Sequence, residues 1–363
     1  MVMSMTPLEA TRSRLFHQQI LHPSLEKPGT VVTTIGAMQA QDYTGALWSI
    51  GLRMPGATVT DILQAIADRD IVRTWLIRGT LHFVAARDLR WILGLVSPRL
   101  IAGSAGRHRQ LGLTGEDFSR SREIFAAELK GGRQLARDEL YRLLGEAGVS
   151  PDGQRGYHLL WMAGLEGLIC FGNHRGNQPT FVLLDEWISP GLAFGQEEAL
   201  AGLATRYFTG HGPATLQDFA WWSGLKVADA KKGIEAAGTA LSQVTIGGRE
   251  YFTDPETPDL TGGGQEAYLL PGFDEYILGY RDRNIVLDPS LAGRIVIGEN
   301  GMMLPTIIIE GKVAGRWKRI VGKREIIITL HPFSSMSPAH KREVGAAAER
   351  YGKFMRMPVN VEW

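Results

Sequence analysis

The chain has 363 residues, of which 44% are hydrophobic and 21% charged, and its formal net charge at pH 7 is +1. This composition indicates a globular protein of roughly two to four modules and excludes a polycation. No apolar run approaches the roughly 20 residues that a membrane helix requires, and the first residues show no signal-peptide pattern. We therefore expect no association with membranes. Because the single Cys170 excludes an internal disulfide, we expect a cytoplasmic protein.

The first 88 residues contain helical patterns followed by two short apolar strands. The strands, at 71–77 and 80–84, meet at Arg78-Gly79 and predict a tight hairpin. The predicted helices lie at 8–21, 31–38, 44–54 and 59–69. Because the last three of these helices lead directly into the hairpin, the order predicts the winged-helix form of the helix-turn-helix.

The same order of helices and strands returns twice. Residues 89–190 and 191–254 each carry three helical patterns, then two strands joined by a polar or Gly-Gly turn. The ranges are 118–129, 137–147, 156–167, 168–171 and 180–184 for the second copy, and 197–208, 216–223, 227–237, 241–246 and 249–252 for the third. Recurrence of one supersecondary order favours tandem winged helices, although the copies share little residue identity.

The chain changes character after a Pro- and Gly-rich linker at 254–264. Strand patterns at 306–310, 313–320 and 325–330 predict an antiparallel meander. An amphipathic helix at 337–354 and an edge strand at 359–363 follow. The predicted fold class is therefore α+β, with three tandem winged-helix modules (1–88, 89–190 and 191–254) and a small C-terminal antiparallel β-rich domain (265–363).

Gln39, Gln41 and Asp42 form the most informative motif, because two carboxamides and a carboxylate meet between two helical patterns. Side chains two residues apart share a direction only in non-helical backbone. An amide can hold a water molecule through its donor and acceptor atoms, but it has no useful basicity. We therefore expect the two glutamines to orient a nucleophile. Asp42 either adds charge and accepts a proton or caps the next helix.

Two further groups of polar residues allow two interpretations each. Thr80 and His82 share one face of a predicted strand, and that face could look toward the glutamines, but a single strand histidine is more often structural. Asp274 and Glu275 are candidates for catalytic acids. Adjacent acids of this kind more often cap a helix or pair with a neighbour, here Arg281 or Arg283.

Positive charge is concentrated in two stretches of the sequence. Residues 73–109 contain seven arginines against one acid, and residues 312–324 contain six cations and no acid. Arginine without balancing carboxylates suits contacts with phosphate through its forked donors. The alternative interpretation is a solvated face.

The motifs of the common cofactor sites are missing from the sequence. It contains no P-loop, no dinucleotide-binding glycine fingerprint, no His-Glu-x-x-His and no Cys pair for zinc. The nine histidines are scattered without the spacing of metal ligands. We therefore predict no metal and no organic cofactor.

Three runs together carry a resemblance to a known family: Gln39-Ala40-Gln41-Asp42, the run 73–82 (Arg-Thr-Trp-Leu-Ile-Arg-Gly-Thr-Leu-His) and the run 270–276 (Leu-Pro-Gly-Phe-Asp-Glu-Tyr). The chain resembles the AlkZ and YcaQ family of alkylpurine DNA glycosylases over essentially its whole length. That family has three tandem winged helices and a small β-rich C-terminal part. It includes a self-resistance enzyme of azinomycin producers that excises bulky lesions and unhooks interstrand crosslinks.

The resemblance implies a monofunctional DNA glycosylase that hydrolyses the N-glycosidic bond of N7-alkylated purines in double-stranded DNA. The family motif is Gln, an apolar residue, then Gln or Asp, so Gln39 and Gln41 are the implied catalytic residues, with Asp42 beside them. The residues expected to bind DNA are Arg73, Arg78, Thr80, His82, Arg107, Arg109, Arg316, Lys318, Arg319 and Lys323. We expect a monomer.

Two other classes of function remain open at this point, because a fold does not determine a function. A non-enzymatic winged-helix DNA-binding or regulatory protein would bind one DNA sequence tightly and leave adducts intact. A scaffold that binds proteins through its winged helices would lack an arginine-lined groove.

Overall fold

The computed structural model describes residues 3–258, 260, 267–298 and 302–363. The fold is α+β, with helices alternating with small, mostly antiparallel sheets. Within the described ranges, no helix combines the length and the apolar composition needed to cross a membrane. Part of the predicted linker 254–264, namely residues 259 and 261–264, lies outside the described residues.

The first region folds as helices followed by a hairpin, as predicted. Its elements are β1 (Met3–Met5), α1 (Pro7–His17), α2 (Pro28–Ile35), β2 (Met38–Gln39), α3 (Tyr43–Leu52), α4 (Val59–Ala67), β3 (Ile71–Trp75) and β4 (Leu81–Ala85). Strands β2, β4 and β3 form an antiparallel sheet in that order. The hairpin turn contains a short 3-10 turn at Ile77–Gly79, in which Arg78 has a φ of 55° and Gly79 a φ of 71°.

The predicted helix 31–38 is wrong at its C-terminal end. Helix α2 stops at Ile35 because Gly36 has a φ of 90°, a backbone conformation that other residues rarely adopt. The chain then extends, and Met38 and Gln39 pair with Phe83 and His82 of β4. The glutamine motif therefore starts on a strand rather than in a turn between two helices.

The second region begins with a long helix that was not predicted. Its elements are α5 (Ala86–Gln110), α6 (Gly115–Glu128), β5 (Leu135–Ala136), α7 (Arg137–Glu146), α8 (Arg155–Leu165), β6 (Ile169–Arg175), β7 (Gln178–Leu183) and α9 (Leu184–Trp187). The sheet order is β5-β7-β6. The turn between β6 and β7 is shorter than the predicted turn, since pairing continues to Arg175 and Gln178.

The third region has the predicted helices and hairpin and also binds the N-terminus of the chain. Its elements are α10 (Gln196–His211), α11 (Leu216–Ser223), α12 (Val227–Ala237), β8 (Ser242–Ile246) and β9 (Arg249–Thr253). Strand β1 pairs in parallel with β8, which gives the sheet order β1-β8-β9. The first and third regions are therefore joined by backbone hydrogen bonds.

The C-terminal region contains the largest sheet. Its elements are β10 (Ala267–Leu270), α13 (Glu275–Leu278), α14 (Ala292–Ile295), β11 (Val296–Ile297), β12 (Met302–Met303), β13 (Thr306–Ile309), β14 (Lys312–Val321), β15 (Ile326–Pro332), α15 (Pro338–Met355) and β16 (Val359–Glu362). The predicted meander is confirmed, with the strand order β10-β13-β14-β15-β16. The predicted edge strand is also confirmed, and β16 pairs in parallel with β15.

Two large hydrophobic clusters divide the molecule, and their division does not follow the order of the chain. One cluster joins α1–α4 to the C-terminal sheet and α15, and the other joins β3 and α5 to the second and third regions. Ala37 belongs to the second cluster, whereas Met38 and Ala40 belong to the first. Gln39 therefore lies where the two clusters meet.

Candidate active site

Gln39 is held in one orientation on strand β2. The residue is 9% exposed, and its backbone N–H donates to Glu275 Oε1 at 3.0 Å. Its side-chain Oε1 accepts a hydrogen bond from Arg78 Nη2 at 3.0 Å. Because a guanidinium only donates, this contact determines which end of the amide faces Arg78.

Gln41 lies two residues further along and is exposed. Its Oε1 accepts a hydrogen bond from the backbone N–H of Leu81 at 3.1 Å, and the Ala40 N–H donates to the Leu81 carbonyl at 2.7 Å. Both carboxamide oxygens are thus anchored to the β3–β4 hairpin. Each oxygen has a second lone pair with which it can accept another hydrogen bond.

Arg73 fixes the backbone between the two glutamines. Its Nε and Nη2 donate to the Ala40 carbonyl at 3.1 and 2.9 Å. Burial lowers the pKa of Arg73 to about 10, an effect that Tyr43 opposes and Arg137 reinforces, so the side chain stays cationic at neutral pH. We predicted that Arg73 binds DNA, but two of its donors are already used to hold the motif.

Asp42 begins helix α3 rather than facing a substrate. Its Oδ1 accepts a hydrogen bond from the Gly45 N–H at 3.0 Å, which is the cap that we considered as an alternative. Its Oδ2 lies 3.1 Å from Arg319 Nη2 of strand β14, and the Arg319 side chain is only 13% exposed. Both carboxylate oxygens of Asp42 therefore have partners within the protein. The catalytic role of Asp42 and the DNA contact of Arg319 stay predictions.

Two more of the expected DNA contacts point into the protein. Arg78 donates to the carbonyl oxygen of Trp222 as well as to Gln39, and burial lowers its pKa while Glu275 opposes that effect. The prediction that His82 contacts DNA is wrong, because its side chain is fully buried. Its Nδ1 donates to the Thr80 carbonyl at 3.0 Å, and burial followed by the charge of Arg78 lowers its pKa to about 4.

The remaining expected DNA contacts lie in three places. Arg107 and Arg109 are exposed in the last turn of α5. Strand β14 carries Arg316 and Lys318, with Lys323 in the turn that follows. Thr80 is half-buried at the β3–β4 turn, where its hydroxyl donates to the Ile77 carbonyl at 3.2 Å.

The run 270–276 lies against the glutamine motif, and its two acids have different partners. Asp274 caps α13 by accepting from the Tyr276 N–H at 3.0 Å, and it pairs with Arg53 at 2.8 Å in the interior. The expected cap is therefore confirmed, whereas the partner of Asp274 is Arg53 and not Arg281 or Arg283 as expected. Glu275 instead accepts the backbone N–H of Gln39.

An aromatic pair borders the motif on the side of α3. The ring of Tyr43 stacks on His174 of strand β6 with 4.2 Å between centroids, and Arg73 lies 5.3 Å above the same Tyr43 ring. Strand β6 of the second region therefore contributes to the surroundings of the motif in the first.

Among the described residues, no group of three or more His, Cys, Asp or Glu side chains is arranged to hold a metal ion. Cys170 is fully buried, and burial raises the pKa of its thiol.

A family profile described as "DNA glycosylase AlkZ-like" matches residues 32–354. The chain belongs to the AlkZ-like DNA glycosylase family. As an AlkZ-like glycosylase it is an enzyme, and the alternative of a non-enzymatic regulator is not favoured.

Two relatives of this AlkZ-like chain come from Streptomyces sahachiroi. A curated protein named "Interstrand DNA cross-link repair glycosylase" is 27% identical over 366 aligned residues, covering 95% of this chain and 96% of the relative. The solved structure of "Streptomyces sahachiroi DNA glycosylase AlkZ" superposes with a TM-score of 0.82 at 24% identity, covering 99% and 100% of the two chains. The structural comparison supports the fold.

Sequence reasoning missed several partners of the glutamines in this AlkZ-like chain. No sequence pattern indicated that Trp222 lies near the glutamine motif, because it is distant from the motif in sequence and lies on a helix of the third region. Glu275 was present in a conspicuous run, but only capping, pairing and catalysis were considered for it. The stacking of Tyr43 on His174 joins two regions whose packing no local pattern reveals.

Proposed function

We propose that this chain is a monofunctional DNA glycosylase that hydrolyses the N-glycosidic bond of N7-alkylated purines, bulky adducts and interstrand crosslinks among them. The observation that carries the proposal is the pair of carboxamide oxygens, Gln39 Oε1 and Gln41 Oε1, each held by a donor of the β3–β4 hairpin. The two oxygens are the polar acceptors that we assign to the reaction.

The chemistry of the leaving group explains why carboxamides are sufficient. A purine alkylated on N7 carries a positive charge, so it leaves without protonation by a strong acid. Positive charge develops on the sugar as the glycosidic bond lengthens, and oriented oxygen dipoles stabilise that charge more than the ground state. In our proposal, Gln39 and Gln41 supply these dipoles and hold the attacking water against the anomeric carbon.

We propose that the three regions preceding the C-terminal sheet are winged-helix modules, spanning 1–88, 89–190 and 191–254. Each region combines helices with a three-stranded sheet that contains a hairpin. In this proposal the hairpin of the first module has a second task, because it anchors both glutamines. The C-terminal domain, 265–363, supplies β14 and the run around Glu275.

Double-stranded DNA is the proposed partner of a cytoplasmic monomer. The outward-facing cations of α5 and β14, together with Thr80 at the hairpin turn, are the contacts that we assign to its backbone. Neutralising phosphates releases counterions, so affinity is expected to fall steeply with salt. The cations are Arg107, Arg109, Arg316, Lys318 and Lys323.

Bulky substrates are proposed because one member of the glutamine pair is accessible. Gln41 is exposed, whereas Gln39 is 9% exposed. A bulky adduct or a crosslink makes complete extrusion of the nucleotide costly, and an open site requires less extrusion. The name of the curated relative, an interstrand DNA cross-link repair glycosylase, agrees with this substrate class.

The test is single-turnover release of base from a duplex with one N7-methylguanine, at one salt concentration. Gln39→Ala and Gln41→Ala are each expected to reduce the rate by roughly ten- to a thousandfold, since each removes one oriented dipole. The matched control is Gln64→Ala, which removes an exposed glutamine of α4 whose amide bonds only to Asp68.

The excision rates of the wild type and the three variants decide between a catalytic and a structural motif. Excision that is lost in both variants and kept in Gln64→Ala supports the proposal. Equal excision by all four proteins would show that the motif is structural. If the wild type binds duplex without releasing N7-methylguanine, a duplex with a bulky N7 adduct and a crosslinked duplex are tested next, and failure on all three would refute the proposed function.

A further inference from the structure

Glu275 is a buried carboxylate placed directly behind the glutamine motif. The residue is 1% exposed and opens the short helix α13. Its Oε1 accepts the Gln39 backbone N–H at 3.0 Å, and its Oε2 accepts the indole N–H of Trp222 at 2.9 Å. A buried carboxylate is tolerated only when donors satisfy its oxygens, and here each oxygen has one donor.

The contacts of Glu275 form part of a closed ring of hydrogen bonds. From Gln39 the ring runs through Glu275 to the indole of Trp222, and from the Trp222 carbonyl through Arg78 back to Gln39 Oε1. The four members come from strand β2, helix α13, helix α11 and the β3–β4 turn. The ring therefore combines the first region, the third region and the C-terminal region around one glutamine.

The charges around the ring favour an ionised Glu275. Burial raises the pKa of this carboxyl, but the neighbouring His211 and the charge of Arg78 more than offset that effect, so the pKa is lowered. His211 Nε2 lies 3.5 Å from Glu275 Oε2, which is an electrostatic contact rather than a close hydrogen bond. The ionised group accepts hydrogen bonds with both oxygens and donates none.

The orientation of the Gln39 amide depends on this ring. A terminal amide can rotate by half a turn with almost no change in shape, exchanging its oxygen for its NH2 group. Arg78 prevents the exchange because it accepts nothing, and Arg78 is itself positioned by the Trp222 carbonyl. A rotated amide would place its NH2 group against the Arg78 guanidinium, donor facing donor, and would reverse the dipole that Gln39 presents at the site.

We propose that Glu275 is a positioning residue for base excision: it holds the backbone of Gln39 and, through Trp222 and Arg78, keeps the Gln39 side-chain amide in the one orientation in which Arg78 binds its oxygen. This inference rests on the proposed function. Glu275 itself does not touch the substrate. It acts by restricting Gln39 to one conformation before DNA binds.

The experiment uses Glu275→Gln, which keeps the shape of the side chain but replaces one acceptor oxygen with a donor NH2. One of its two donors, the Gln39 N–H or the Trp222 indole, then faces another donor. We expect the single-turnover rate of base release to fall by at least about tenfold, with the affinity for the same duplex within about twofold of wild type. Trp222→Phe, which removes the indole donor, is expected to lower the rate in the same way.

The double variant separates a positioning role from general destabilisation. Glu275→Gln and Trp222→Phe break the same ring, so the double variant should lose little more rate than the worse single variant. Independent structural damage would multiply instead. The matched control is Asp88→Asn, because Asp88 is also a fully buried carboxylate that accepts a tryptophan indole N–H, from Trp91 at 3.1 Å, outside the ring.

Three results would overturn the proposal: a wild-type rate in Glu275→Gln, multiplicative losses in the double variant, or an equal loss in Asp88→Asn. A wild type that releases no base from any adduct would refute the proposed function instead. In that case the ring is judged by the backbone amide signal of Gln39 in the 15N-labelled chain. We expect slow hydrogen exchange that becomes at least about tenfold faster in Glu275→Gln, and unchanged exchange would refute the ring.

Discussion

His82 and His17 show how burial controls a single side chain. Burial lowers the pKa of each ring to about 4, and His82 is fully buried. Asp254 partly opposes the effect at His17, whereas Arg78 reinforces it at His82. Both rings are therefore neutral at the pH at which the enzyme would work.

This burial predicts a pH-dependent stability. In the unfolded chain a histidine titrates near 6.5, against about 4 for His82 when folded, so between these values the unfolded state binds more protons and stability rises with pH. One such group contributes about 1.4 kcal/mol per pH unit in this window. We expect His82→Asn to lessen the pH dependence of the urea-unfolding free energy between pH 6.5 and 4.5. His17→Asn should do the same, and a slope identical to wild type in both would contradict the burial of these rings.

Helix α3 shows how one side chain can begin an element and also join it to another. Its first turn is stabilised by Asp42, whose carboxylate caps Gly45 and also pairs with Arg319. Gly45 is needed there because a Cβ at this position would lie 2.4 Å from Asp42 Oδ2. The residue next to the glutamines is thus used to start a helix and to bind β14.

The helix start predicts different effects for two substitutions of Asp42. Asp42→Asn keeps an equally good cap and should excise N7-methylguanine at nearly the wild-type rate. Asp42→Ala removes the cap and should lower the free energy of unfolding by about 1 kcal/mol. Both are measured by single-turnover excision and urea unfolding. A loss of roughly a hundredfold or more in Asp42→Asn, the size expected for removal of a general base, would instead make Asp42 catalytic.

Elements with a strong local signal could be predicted from the sequence. The hairpin at Gly247-Gly248 and the meander of β13–β15 follow from alternating apolar residues and glycine turns. Strands β1 and β2 could not, because they have three and two residues and pair with strands elsewhere in the chain. The candidate glutamines were found for their chemistry, whereas Glu275 and Trp222 join them only through tertiary contacts.

On the scale of the whole molecule, the first region folds against the C-terminal region. Arg53, at the C-terminal end of α3, and Asp274 are fully buried and 2.8 Å apart, and Ser49 and Gln18 add hydrogen bonds to the pair. The indole of Trp48 donates to the Leu269 carbonyl at 2.7 Å beside them. The first region and the C-terminal region therefore share one core.

This shared core predicts a large effect of removing one buried charge. Arg53→Ala leaves Asp274 buried without its partner and should lower the free energy of unfolding by about 3–5 kcal/mol. The matched control is Arg122→Ala, whose pair with Glu166 is exposed and should contribute about 1 kcal/mol or less. Urea unfolding followed by tryptophan fluorescence and circular dichroism measures both. Equal losses in the two variants would contradict the shared core.

The position of Gln39 between the two hydrophobic clusters determines which forms of the enzyme can have an ordered site. An enzyme that detaches bases from a genome is dangerous if a damaged or incomplete copy still works. Here the strand that carries Gln39 has neighbours in both clusters, and its hydrogen bonds come from two separate stretches of chain, the β3–β4 hairpin and Glu275. We therefore expect a nascent or proteolysed molecule that lacks either half to have no ordered site, and excision to require the intact protein.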